Sequence, residues 1–363
     1  MSDVSKVLKK SKQKAEEERR AQHKRALARF YSLNSILGHQ VPFYVIIGGR
    51  KTGKSYSCAE FLCRHQEDMN YWMRISDTSI KAMLANNCKG MIDPDLVRDY
   101  NLDLKAKGGM YIENHGKPFI TACPLSAFGK LKGVGFYDKD YQGWYNLILD
   151  EFQLEQGEKR TSFDILYNFI GMCENTVRTT KGKVRVFLLG NTLEEASTIL
   201  KAFDFIPQKF GRFCLHRTNK YTGKREKYCV IDNLEPTQEY LEDRYGSIAD
   251  LLGGDKMSNY TNELIRDTKL IYKGRKHRPT AIIKFTKSPG DWYTVWDSDI
   301  VCKYTNQKLP ITKDFAMKPY INTFYSPERR QTVLDMYDAR AFRFDSLITE
   351  SYFTEELAKI RKK

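Results

Sequence analysis

The segment Gly48-Gly49-Arg50-Lys51-Thr52-Gly53-Lys54-Ser55 constrains this chain more than any other, because it fits the phosphate-loop pattern G-x-x-x-x-G-K-[ST]. That pattern has meaning only between a buried strand and a helix, and both flanks are legible. Pro42 precedes the short apolar run Phe43 to Ile47, which reads as a strand, and a helix is expected from near Lys54. In this setting the glycines let backbone amides close around phosphates, with Arg50, Lys51, Thr52 and Tyr56 completing the cradle. Lys54 reaches the β- and γ-phosphates, and the Ser55 hydroxyl ligates Mg2+ at the positive end of the helix. ATP and Mg2+ are the expected ligands; a glycine-rich turn without nucleotide is the alternative that the flanking elements oppose.

A second signal is Asn146-Leu147-Ile148-Leu149-Asp150-Glu151, an apolar strand ending in two carboxylates. Asp150 is placed to hold the Mg2+ shell, and Glu151 to polarise a water for in-line attack on the γ-phosphate. Small-molecule kinases have no need of that second acid, so the pair favours a hydrolase. A third run, Val184 to Leu189, leads into Gly190-Asn191-Thr192. Asn191, with Thr192 close behind, is the candidate sensor of the γ-phosphate; a turn after a core strand is the alternative.

Further strands are expected at Tyr71–Ile75, Gly109–Glu113, Pro118–Cys123 and Tyr145–Leu149, with helices near Ser79–Asn87 and Phe163–Glu174. Such alternation indicates an α/β domain with a largely parallel sheet covered on both faces. The Pro118–Cys123 strand lies between the phosphate loop and the acidic strand in the chain. This is consistent with the additional-strand catalytic-glutamate (ASCE) type of P-loop NTPase. Members of that branch work as rings, in which a neighbouring subunit contributes an arginine to the transition state. Arg178 is the first candidate and Arg160 the second, with plain surface charge as the alternative for either. In the polar loop Gln156–Thr161, Lys159 and Arg160 are candidate contacts to DNA phosphates; Lys130 and Lys132 are weaker ones. Arg74 either links nucleotide state to that grip or makes an ion pair.

At roughly 100 to 200 residues per domain, 363 residues predict two domains. The sequence divides into a basic extension (1–30), a P-loop ATPase domain (31–235), a helical linker (236–264) and a smaller α+β domain (265–363). Polar Arg217–Lys227 and the helical stretch Pro236–Leu252, closed by Gly253-Gly254, mark the linker. Thr280–Phe285, Trp292–Trp296 and Ile300–Tyr304 read as strands of the second domain, and Pro327–Lys363 as helical. The eight cysteines form no C-x-x-C pair and read as reduced and structural, while the six histidines are dispersed; neither set signals a metal site. A net charge of +15 favours a polyanion, nucleic acid before an anionic membrane surface. Ten Lys and Arg against four acids in the first thirty residues form either a solvating extension or a nucleic-acid-binding arm. No apolar run approaches the roughly 18 residues of a membrane span, and the charged N-terminus is unlike a signal peptide, so neither insertion nor secretion is expected.

Taken together, the motifs resemble those of the DNA-packaging ATPases of phi29-like tailed phages. The resemblance runs through Val45 to Tyr56, Pro124-Leu125-Ser126, Leu149 to Phe152, Val177-Arg178, Val184-Arg185 to Asn191, and Arg343-Phe344-Asp345 with the basic final helix. It implies a viral genome-packaging motor in the host cytoplasm, a ring, pentameric by that resemblance, docked transiently on the portal of an empty prohead. Such a ring drives double-stranded DNA inward, and a structural packaging RNA is a further partner the resemblance admits. Lys54 and Ser55 would be the phosphate-loop pair, Asp150 the magnesium aspartate, Glu151 the catalytic glutamate and Arg178 the trans-acting arginine. It also implies an RNase H-like C-terminal domain without nuclease activity. The long basic extension and the wording at Gly143-Trp144 depart from the family. Two alternatives stand beside it: a terminase-like motor whose nuclease uses Asp297 or Asp299, and an adaptor that binds nucleic acid or portal without hydrolysing ATP. The strand Thr280–Phe285 carries Lys284 and no acid, which favours a second domain that does not cut. The turn Lys273 to Arg278 is either a phosphate contact or solvated.

Overall fold

A computed structural model describes residues 30–49, 51–131, 140–152, 163–177, 183–191, 198–207, 209–242, 245–246, 251, 270–283, 285, 292–304 and 327–361. Arg50, Lys132, Lys159, Arg160, Arg178, Thr192, Lys284, Gly253-Gly254 and the extension before Phe30 therefore lie outside the described residues, as does the side chain of Lys130. The chain forms two compact units, 1–193 with 209–264, and 194–208 with 265–363.

The first unit is built on a nine-stranded sheet in the order β3-β4-β5-β2-β6-β7-β1-β9-β8. In chain order its strands are β1 (Phe43–Ile47), β2 (Met69–Arg74), β3 (Leu104–Lys107), β4 (Tyr111–Asn114), β5 (Lys117–Pro124), β6 (Tyr145–Asp150), β7 (Val184–Gly190), β8 (Gly211–Thr218) and β9 (Arg225–Asn233). Strands β5, β2, β6, β7, β1 and β9 run parallel, and antiparallel pairings complete both edges. The central strands carry almost continuous apolar runs, as strands covered on both faces must: β6 is buried at every position and β1 from Tyr44 to Ile47. Among the helices are Lys54–Arg64 after β1, Asp77–Cys88 after β2, and Ile165–Val177 between β6 and β7. The helix Asp77–Cys88 starts at Ser76, whose hydroxyl accepts the Ser79 amide at 3.2 Å, leaving one fewer unpaired donor in the first turn.

The Pro118–Cys123 strand is β5, which lies between β1 and β6 in the chain; in the sheet it stands on the far side of β2, and the strand between β1 and β6 is β7. One expectation changes. Arg217–Lys227, read as a polar stretch marking the linker, lies instead in the β8–β9 hairpin, and β9 pairs in parallel with β1 from Phe43 against Cys229 to Ile47 against Asn233. The polar residues face solvent at an edge while Cys229 to Asp232 enter the core. The helical reading of Pro236–Leu252 is met in the helix Gln238–Glu242.

In the second unit, β10 (Pro279–Ile283), β11 (Trp292–Trp296) and β12 (Ile300–Tyr304) form an antiparallel meander. The terminal segment is not one helical run: β13 (Arg343–Phe344) pairs in parallel with β12 and separates the helices Pro327–Asp338 and Leu347–Arg361. Phe353, fully buried on the last helix, gathers the rings of Phe285, Tyr293, Phe342 and Phe344 within 5.1–5.5 Å. Segment 194–208 also belongs to this unit. Buried Ile199 and Leu200 and an ion pair from Lys201 to Glu355 anchor it there.

All eight cysteines are free thiols, and Cys58, Cys63, Cys88, Cys123, Cys229 and Cys302 are buried. Burial pushes these thiols up, Cys63, Cys123 and Cys229 to about 12 and Cys302 to about 11. Since the thiolate is the reactive form, they are expected to resist alkylation at pH 8 until the chain unfolds. Mass spectrometry of maleimide-treated protein with and without denaturant checks this; rapid modification of all eight in native protein would contradict the packing. Among the described residues no helix is long and apolar enough to cross a membrane.

Candidate active site

The loop after β1 is held from both sides. The Gly48 amide donates to the carbonyls of Gly190 and Asn191 at 3.2 and 3.0 Å, fastening the loop's first residue to the end of β7. Lys51 and Gly53 adopt φ of 64° and 89°, the left-handed conformation that turns the chain into the helix Lys54–Arg64. Gly53 has no alternative there, because a Cβ would also lie 2.7 Å from the Cβ of Phe30. Thr52 Oγ1 donates to the Gly49 carbonyl at 2.9 Å and closes the bowl.

Inside the bowl, the buried Lys54 ammonium donates to the carbonyls of Gly48 and Gly49, both at 2.7 Å, and to Thr52 Oγ1 at 3.2 Å. Ser55 Oγ donates to Asp150 Oδ1 at 3.0 Å. Two strands thus bring together residues 95 positions apart in the sequence. Ser55 and Asp150 fit a magnesium ion, since they offer adjacent hard oxygen donors at a helix N-terminus and phosphates would supply further ligands.

At the end of β6 the backbone turns at Glu151, and the next amide, Phe152, still donates to Leu189 of β7 at 3.1 Å. Glu151 has φ of 58°, a strained conformation for glutamate that carries it out of the sheet line and leaves its side chain 46% exposed, beside the 3% exposed Asp150. Arg74, at the end of neighbouring β2, spans both acids: one guanidinium nitrogen lies 2.7 Å from Asp150 Oδ2 and the other 2.8 Å from Glu151 Oε2. Burial disfavours the charge on Arg74, but Asp150 and then Glu151 outweigh it, so its pKa is raised. Of its two sequence readings, the ion-pairing one is what the structure displays.

A cavity of about 580 Å³ joins these parts, with Lys51, Thr52, Gly53, Lys54, Ser55, Tyr56, Asp150, Glu151 and Asn191 on its walls. The phosphate loop, both acids and Asn191 are therefore neighbours. Phe30, Asp93 and Asp95 complete the wall, and nothing in the sequence pattern singled them out. An Asp-Pro step at Asp93-Pro94 does signal a helix start, and Asp93 indeed caps the helix Pro94–Asp99, but its approach to the loop is purely tertiary.

In the second unit, Asp297 accepts the amides of His277 and Arg278 at 3.0 and 2.9 Å, while Asp299 pairs with Arg343 at 2.7 Å. These bonds give both acids structural work in holding the turn before β10 and the start of β13.

No family model and no curated protein sequence matches the chain. Its structure is similar to that in the bacteriophage Phi-29 viral genome packaging motor assembly, with a TM-score of 0.60 and 18% identity over 92% of this chain and 100% of that one. It is similar also to the Phi-28 gp11 DNA packaging motor, with a TM-score of 0.56 and 15% identity over 90% and 98% of the two chains. The chain thus shares its fold with the phi29-type genome-packaging motors along nearly its whole length.

Proposed function

We propose that this protein is the ATP-hydrolysing subunit of a viral genome-packaging motor, an ASCE-type P-loop ATPase that moves double-stranded DNA into a prohead. The observation that carries the reading is the convergence of Lys54, Ser55, Asp150 and Glu151 on one cavity at the carboxyl ends of parallel strands. In this reading the loop amides and Lys54 bind the triphosphate, and Ser55 and Asp150 hold Mg2+, which supplies charge neutralisation at the phosphates when bound. Glu151 takes the proton of the attacking water. Asn191, whose carbonyl already ties β7 to the loop, senses the γ-phosphate. Arg178 serves the active site of a neighbouring subunit, and Lys159, Arg160, Lys130 and Lys132 contact DNA.

The shared fold supports the packaging role, and the portal, a packaging RNA and a pentameric ring are proposed beside it as partners and assembly. A second unit without nuclease activity fits the structural engagement of Asp297 and Asp299. The test is steady-state ATP hydrolysis by the full chain, with and without double-stranded DNA, across protein concentration. Stimulation by DNA and specific activity that rises with concentration are expected, because an arginine supplied in trans leaves an isolated subunit incomplete. Mg2+-dependent ATP binding without turnover, even with DNA and proheads present, would favour the adaptor reading.

A further inference from the structure

The cavity extends beyond what phosphates and a metal would occupy. Its volume of about 580 Å³ lies within the range of whole small-molecule sites, and the wall past Tyr56 is formed by Phe30, Asp93 and Asp95. A nucleotide whose phosphates lie in the loop brings its nucleoside into the same cavity as Phe30, Asp93 and Asp95. Resting on the ATP-binding reading above, we propose that Phe30 is the platform on which the nucleobase stacks.

Phe30 has the properties such a platform needs. Phe30 is 38% exposed and presents an apolar side chain to the cavity that holds the phosphate loop and both acids. The chain on its C-terminal side is pinned. Tyr31 donates its amide to the Thr52 carbonyl at 2.9 Å, and Leu33 donates its own to Ser57 Oγ at 2.7 Å. From β8, Arg212 donates to the carbonyl and hydroxyl of Ser35 at 2.8 and 3.0 Å. The loop itself therefore locates residue 30, whose Cβ sits so close that only glycine fits at position 53. A fixed aromatic side chain loses little entropy when a flat partner covers it, and stacking is sequence-tolerant because every base has a π-face.

The neighbouring groups suit a nucleoside that presents hydrogen-bond donors. Asp93 Oδ1 accepts the Asp95 amide at 2.8 Å, and Asp95 pairs with Arg98 at 2.6 Å, so both carboxylates are held in place on the cavity wall. Burial, and then the charge of Asp93, raise the pKa of the Tyr56 phenol and keep it protonated. Carboxylate acceptors match the ribose hydroxyls, which every ribonucleoside presents, and the donor groups of either purine, so they hold the nucleoside without selecting between adenine and guanine.

The test compares Mg2+-dependent binding of ATP and of inorganic tripolyphosphate to full-length wild type, Phe30→Ala and Phe30→Trp. Phe30→Ala is expected to weaken ATP binding about tenfold or more while tripolyphosphate binding changes less than about twofold. Phe30→Trp should restore ATP affinity, with indole fluorescence quenched by ATP and not by tripolyphosphate. Unchanged ATP affinity in Phe30→Ala overturns the proposal, as does an equal loss for both ligands, which would make Phe30 a support for the loop. Failure of wild type to bind either ligand would overturn the ATP-binding reading itself.

Discussion

Glu151→Gln is expected to lower ATP turnover about 100- to 10,000-fold, the usual contribution of a positioned general base, while Mg·ATP affinity stays within about threefold of wild type. The size of the first effect follows from chemistry. A carboxamide has nearly the shape of the carboxylate but cannot take a proton from water. The small size of the second follows from position: Glu151 is half-exposed and paired with Arg74, whereas Lys54, Ser55 and Asp150 form the binding end of the cavity. The left-handed φ of 58° at Glu151 comes from the backbone and is available to glutamine at similar cost, so the substitution should not disturb the turn. Single-turnover hydrolysis with bound radiolabelled ATP, alongside equilibrium binding, separates the two quantities. Wild-type turnover in Glu151→Gln would remove Glu151 from the chemistry and leave Asp150 or a residue of a neighbouring subunit to serve as base.

The parts legible in the sequence are those whose chemistry is local. The phosphate loop needs a strand, glycines and a helix in immediate succession, and all three are adjacent in the chain. Asp150-Glu151 is visible because a buried strand must be apolar, so two acids at its end are conspicuous. The β8–β9 hairpin escaped because Arg217–Lys227 is an exposed edge whose polarity resembles that of a linker, and only Cys229 to Asp232 betray burial. The break in the last helical stretch was hidden in the same way, since β13 has two residues and is defined by pairing with β12. Phe30, Asp93 and Asp95 carry no pattern at all. They reach the cavity because the strap after Phe30 docks on Thr52 and Ser57 and because the helix Pro94–Asp99 packs nearby, relations that no window of sequence contains. Spatial strand order was likewise invisible: the insertion of β7 between β1 and β6 brings Asn191 beside the loop, and it follows from crossover geometry rather than from any residue.

Lys54→Ala is expected to weaken Mg·ATP binding by about 2–5 kcal/mol, the range seen when one member of a buried, hydrogen-bonded charge pair is truncated. In this structure Lys54 is 7% exposed and its ammonium donates to two carbonyls of its own loop, so the loop is already organised around a positive charge before any ligand is considered. Those bonds have two consequences. Nucleotide must draw the ammonium from Gly48 and Gly49 toward the phosphates, exchanging neutral acceptors for charged ones, which is where the binding energy arises. Removal of the amine also leaves the two carbonyls without that donor in the bowl, so the empty loop itself should loosen. Lys54→Ala is therefore expected to differ from Glu151→Gln in kind: affinity collapses, and hydrogen exchange rises at Gly48 and Gly53 even without nucleotide. Lys54→Arg separates the two causes, since it retains charge but presents a planar fork in place of a compact ammonium. Wild-type ATP affinity in Lys54→Ala would show that the loop holds its ligand through backbone amides alone and would leave Lys54 a purely structural lysine.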